Sequence, residues 1–167
     1  MPEADDEVDR IVAAWRRERP GLDVGPLEVL SRVSRLARHL DLARREAFGA
    51  SELESWEFDV LAALRRSGPP YRLSPRDLLR QTMVSSGTMT NRVDRLVARA
   101  LVQRVSSTLD GRAVPVQLTD AGLGLVDAAM ERLLERERGL MGSVPEHEQH
   151  DVARILRALL MTFEDPP

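Results

Sequence analysis

Residues 85–95 read SSGTMTNRVDR and gather hydroxyls, an amide and guanidinium groups at the start of a predicted helix. Ser85 or Ser86 caps it, Thr88, Thr90, Asn91, Arg92 and Arg95 form a polar set, and Val93, Leu96 and Val97 keep the spacing of a buried stripe. These residue types suit the grooves of duplex DNA. An amide can pair two ways with adenine, a guanidinium can fork onto guanine, and a helix N-terminus favours phosphate. An ordinary solvated helix face has the same composition, so the elements around the segment decide between the two.

Charge is distributed in blocks. All 24 basic residues are Arg, and the formal net charge is -3. Residues 72–112 nevertheless hold eight Arg against three Asp, a local +5, while residues 1–9 carry five acids and no base. A polyanion responds to the local field at the contact surface rather than to the total. A general preference for Arg would produce the same block as a solvated face.

Other chemistries find little support. His39, His147 and His150 lack the spacing of a zinc site with a catalytic Glu and have no plausible Ser partner, and no Gly-rich phosphate loop occurs. No enzyme, metal or cofactor is therefore expected. Cysteine is absent, which removes disulfides and thiolate chemistry. No apolar stretch approaches the length of a spanning helix, and the start, MPEADDEVD, is acidic where a signal peptide is basic, so a cytoplasmic protein without a membrane partner is expected.

The positioning elements follow from periodicity and punctuation. Val8, Ile11, Val12 and Trp15 mark a first amphipathic helix ending before Pro20-Gly21; Pro26 opens a second that runs to about Phe48. Ser51 with Glu54 reads as a capping box for a third helix through Trp56, Val60, Leu61 and Leu64. Ser74 with Pro75 starts a short helix, and the Ser85 helix follows. Leu101–Thr108 and Arg112–Leu118 flank Asp110-Gly111 and read as a two-stranded hairpin. Thr119 then caps a long helix, and a last one runs through Val152, Ile155, Leu156, Leu159 and Leu160.

A helix, a tight turn, a second helix and a hairpin make a winged helix-turn-helix, in which the second helix enters the major groove. The fold class expected is mainly α with a small β-hairpin wing. One compact domain is expected in three stretches: 1–50 with an extra helix and a dimerisation helix, 51–118 as the winged helix-turn-helix, and 119–167 with further dimerisation helices. The broad apolar faces at the two ends favour a second copy of the chain.

Asp110-Gly111-Arg112, Leu118-Thr119 and Gly122, preceded by MVSSGTMTNRVDRLVARALVQR, resemble the wing signature of the multiple antibiotic resistance regulator (MarR) family. The resemblance covers nearly the whole chain. It implies a homodimer formed by the terminal helices, bound to a pseudo-palindromic operator of double-stranded DNA and usually repressing transcription. In that reading Arg112 reaches a minor groove from the wing tip, and Asp110 orients the wing. A good turn alone would explain Asp110-Gly111.

The extra first helix, with WRRERP in it, resembles a subgroup of the family that responds to urate and related purines. The positions matching that subgroup's ligand residues are Trp15, Asp59, Arg92 and Arg104. A planar anion could stack on the indole and accept paired hydrogen bonds from guanidinium. Core packing for Trp15 and a structural ion pair between Asp59 and Arg104 are the plain alternatives, and phenolic carboxylates are the competing ligand class.

Overall fold

Seven helices and three short strands make up the described residues, 5–49, 51–105 and 114–164, of the computed structural model. The chain divides into two units, Met1–Glu46 and Ala47–Pro167, each with its own buried cluster.

In the first unit, Asp6 caps α1 (Glu7–Glu18) by accepting the Val8 and Asp9 backbone N–H groups. Val8 and Val12 of α1 pack with Val24, just ahead of α2 (Gly25–Gly49), and with its Leu27. Arg32 of α2 donates to Asp6 (2.8 Å) and Asp9 (2.7 Å), tying α2 to the cap of α1. That guanidinium holds the Asp6 carboxyl down from the ordinary 3.8 to about 2. The contact is therefore fully present above the ordinary value and is lost only as the pH falls towards the lowered one. Val29, Leu30, Val33 and Leu36 remain exposed along α2.

In the second unit the core gathers Phe48, stacked on Phe58 at 4.3 Å, with Leu61, Leu64, Leu78 and Leu96. Here α3 (Ser55–Arg66) packs against α4 (Pro75–Thr82) and α6 (Asp120–Met141), and α5 (Ser86–Ala98) packs on α4. The last helix, α7 (Glu146–Glu164), has no buried residue and exposes Val152, Ile155, Leu159 and Leu160. No helix among the described residues is long and apolar enough to cross a membrane.

The expected helices are present, and three details differ. The wing belongs to a three-stranded antiparallel sheet rather than a two-stranded hairpin: β1 (Arg72–Leu73), β2 (Val102–Arg104) and β3 (Val116–Leu118) lie in the order β1-β3-β2. Two residues are too few to show alternation, and β1 is visible only through its pairing of Arg72 with Gln117 and Leu73 with Val116. Second, α3 begins one turn later than Ser51 implies. Glu54 is its N-cap, and the Glu57 carboxylate accepts the Glu54 N–H at 3.0 Å. Third, the buried stripe of α5 is Met89, Val93 and Leu96, whereas Val97 is 36% exposed.

The start of α6 is set by one close approach. Thr119 caps the helix by accepting the Gly122 N–H (3.0 Å), and its own hydroxyl donates to the Ala100 carbonyl (2.8 Å). A Cβ on Gly122 would lie 2.0 Å from the Leu101 carbonyl oxygen. Gly122→Ala must push helix and strand apart, and a loss of about 1–3 kcal/mol is expected in urea unfolding, the range of core overpacking; an unchanged midpoint would contradict the close packing.

Candidate nucleic-acid interface

Ser85 is the N-cap of α5 and accepts the Thr88 N–H at 3.4 Å, while the two hydroxyls share a hydrogen bond of 2.9 Å. Thr90 donates to the Ser86 carbonyl at 3.1 Å. The Ser85 cap satisfies the Thr88 N–H of the first turn, and Ser85, Ser86, Thr88, Thr90, Asn91 and Arg95 are exposed. Met89, Val93 and Leu96 form its buried stripe.

Thr88, Asn91, Arg92 and Arg95 line an open groove of about 480 Å³ together with Gly87 and with Trp56 of α3. The Arg92 and Arg95 guanidinium carbons lie 5.4 and 4.7 Å from the centre of the indole, within cation–π range. The Trp56 indole N–H donates to Glu54 Oε2 at 2.7 Å, and Arg95 donates to the other oxygen of the same carboxylate. Trp56, followed by Arg95, holds the Glu54 carboxyl below the usual carboxylate range.

A smaller cavity of about 110 Å³ lies on another side of α5. Ser86, Thr90, Arg104, Pro75 and Val116 are among its lining residues. Arg104 of β2 donates to Asp94 at 2.6 Å, so its ion pair is with α5. The structure thus separates Arg92, stacked on Trp56, from Arg104, paired with Asp94. Asp59 lies half-buried in α3, and Trp15, which is 46% exposed, belongs to the first unit. Asp110 and Arg112 lie outside the described residues.

Four residues escape the sequence reading. Trp56 reads there as core and is half-buried against the arginines; Glu54 reads as part of a cap for Ser51 and is itself the cap. Glu57, buried at 1%, accepts from Arg99 at 2.6 Å, and Arg99 also donates to the Glu52 carbonyl at 3.0 Å. The signal for the Glu57–Arg99 pair is faint: a carboxylate sits among apolar neighbours, where an unpaired charge is costly.

A polar helix face seated on a helix-turn-helix, with a three-stranded sheet behind it, defines a winged-helix protein. The chain belongs to the MarR family. A MarR family model matches residues 51–113. Over 158 residues the chain is 40% identical to the HTH-type transcriptional regulator PecS of Dickeya dadantii, covering 95% of this chain and 93% of PecS. The structure of Bordetella bronchiseptica BpsR, described in terms of regulation of its DNA binding by 6-hydroxynicotinic acid, is similar at 25% identity and a TM-score of 0.68, over 78% of this chain and 91% of that one. Sco3205, a MarR family transcriptional regulator from Streptomyces coelicolor solved in complex with DNA, has the same fold: TM-score 0.76 and 18% identity over 87% of this chain and 94% of that one. The chain is thus a transcription regulator and not an enzyme.

Removing Arg99 would strand the buried Glu57 carboxylate, whereas removing Glu57 would leave an arginine that can reach water. Arg99→Ala is expected to cost about 3–5 kcal/mol at neutral pH in chemical denaturation, and Glu57→Gln clearly less; equal losses would mean that burial of the charge is not what matters.

Proposed function

We propose that this chain binds a pseudo-palindromic operator in double-stranded DNA as a homodimer and represses transcription until a small anionic aromatic ligand, such as urate, releases it. The observation that carries the DNA reading is the convergence of Thr88, Asn91, Arg92 and Arg95 on one open groove along the exposed face of α5. Ser85 and Ser86 add hydroxyls at the end of the helix where phosphate is favoured, and Thr90 follows one turn on. The DNA complex of Sco3205, a protein of the same fold, fits this reading.

The exposed apolar residues of α2 and α7 support self-association, because faces of this kind mark protein contacts. A two-fold dimer addresses half-sites about 10 base pairs apart. Arg112 and Asp110 keep the roles the resemblance gives them, Arg112 in a narrow minor groove and Asp110 orienting the wing.

For the ligand, the chemistry proposed is that of a planar anion taken up by guanidinium, with Asp59, Arg92 and Arg104 the candidates within the second unit and Trp15 left as the expectation that the resemblance gives. BpsR, with its response to a hydroxylated heteroaromatic acid, supports that ligand class. A phenolic or other small carboxylate is the second reading; the cation–π stacking of Arg92 would serve it equally.

Fluorescence anisotropy with the gene's own upstream DNA, at two salt concentrations and with or without urate, tests the whole reading. Tight, salt-dependent binding relieved by urate is expected. Tight binding indifferent to urate would shift the ligand to the carboxylate class, and binding no better than to scrambled DNA, there and after genomic selection, would overturn the regulator. Asn91→Ala should lose about 1–3 kcal/mol of discrimination. Arg112→Ala should weaken binding to every duplex and lower the salt slope by about one.

A further inference from the structure

Arg95 is a cation on the exposed face of α5; two contacts hold it, and a third holds its carboxylate partner. Glu54 Oε1 accepts from one of its terminal nitrogens, the Trp56 ring covers one face of the guanidinium at 4.7 Å, and the indole N–H fixes the carboxylate through Oε2 at 2.7 Å. An exposed ion pair between two free side chains contributes little, because both must lose rotamer freedom to form it. Here Trp56 has already restricted both partners. A guanidinium has five N–H donors in a rigid fork, so an edge turned to Glu54 leaves the other edge available.

We propose that Glu54 and Trp56 are specificity-determining residues that act through Arg95, buttressing its guanidinium so that its free edge meets a base and not the sugar-phosphate backbone. The inference rests on α5 being the DNA-reading helix. A loose arginine finds a phosphate on any duplex and adds affinity without information. A buttressed one has a single direction. It makes a paired contact where a guanine edge stands in front of it, and where none does it must break its contacts with Glu54 and Trp56 to swing to a phosphate. Preorganisation also reduces the ordering cost of the productive contact. Both effects widen the gap between cognate and random DNA, and both vanish if the buttress is removed while Arg95 stays.

The test uses the full-length protein, a duplex selected from a random library by the wild type, and a scrambled duplex of the same composition. Glu54→Gln is expected to lower the cognate-to-scrambled affinity ratio by roughly tenfold, within what one paired base contact supplies. Its binding to scrambled DNA should tighten, with a salt slope steeper by about one as Arg95 takes up a phosphate. Trp56→Phe, which keeps an aromatic face but loses the N–H donor, should move both quantities the same way by less. In an Arg95→Ala background, Glu54→Gln should leave the ratio where Arg95→Ala put it.

An unchanged ratio in a folded Glu54→Gln protein, with the wild type still discriminating, overturns the buttress and leaves the DNA reading standing. So does an equal change in the Arg95→Ala background, because Glu54 would then act by its own charge. A wild type that selects no duplex overturns the DNA reading, and this inference with it.

Discussion

One buried carboxylate fixes the relation of α3 to the helix that carries the polar face. Glu57 accepts both the Arg99 guanidinium and the Glu54 N–H, and Arg99 also reaches the Glu52 carbonyl, where the backbone takes a left-handed turn with φ of 50°. A charge taken out of water is tolerated only while its partners stay in place. Residues 52–57 and the C-terminal end of α5 are therefore locked as one piece. The stacking of Arg92 and Arg95 on Trp56, and the contact of Arg95 with Glu54, lie along the same two segments and depend on that lock.

How far the sequence could be read follows from the range of each interaction. Ser74, Ser85 and Thr119 cap their helices by bonds to residues three positions on; Ser74 and Thr119 are legible in the sequence, and the α5 cap is legible to within Ser85 or Ser86. The third helix was harder because Ser51 with Glu54 and Glu54 with Glu57 are overlapping capping patterns, and only packing decides between them. On α5 the polar set could be read from one short segment. Trp56 and Glu54 could not, since the contact between Glu54 and Arg95 spans 41 positions. Arg104 shows the same limit: the neighbouring helix supplies Asp94 as its partner, and no local pattern indicates that choice.

Helix α7 contrasts with this tightly held unit. None of its residues is buried, although Val152, Ile155, Leu156, Leu159 and Leu160 keep helical spacing along it. Within one chain such a helix is supported chiefly by its own backbone hydrogen bonds and local side-chain pairs, such as Arg154 with Asp151. Its persistence therefore responds to whatever covers that face.

The missing side chain at Gly122 has a mechanical consequence. With the Leu101 carbonyl sitting where a Cβ would be, no compressible side chain lies between the first turn of α6 and the backbone leading into β2. Backbone therefore meets backbone at this junction. At 1.5 Å per residue the 22 residues of α6 form an arm of roughly 33 Å. A tilt of one degree at the glycine end thus corresponds to about 0.6 Å at the far end.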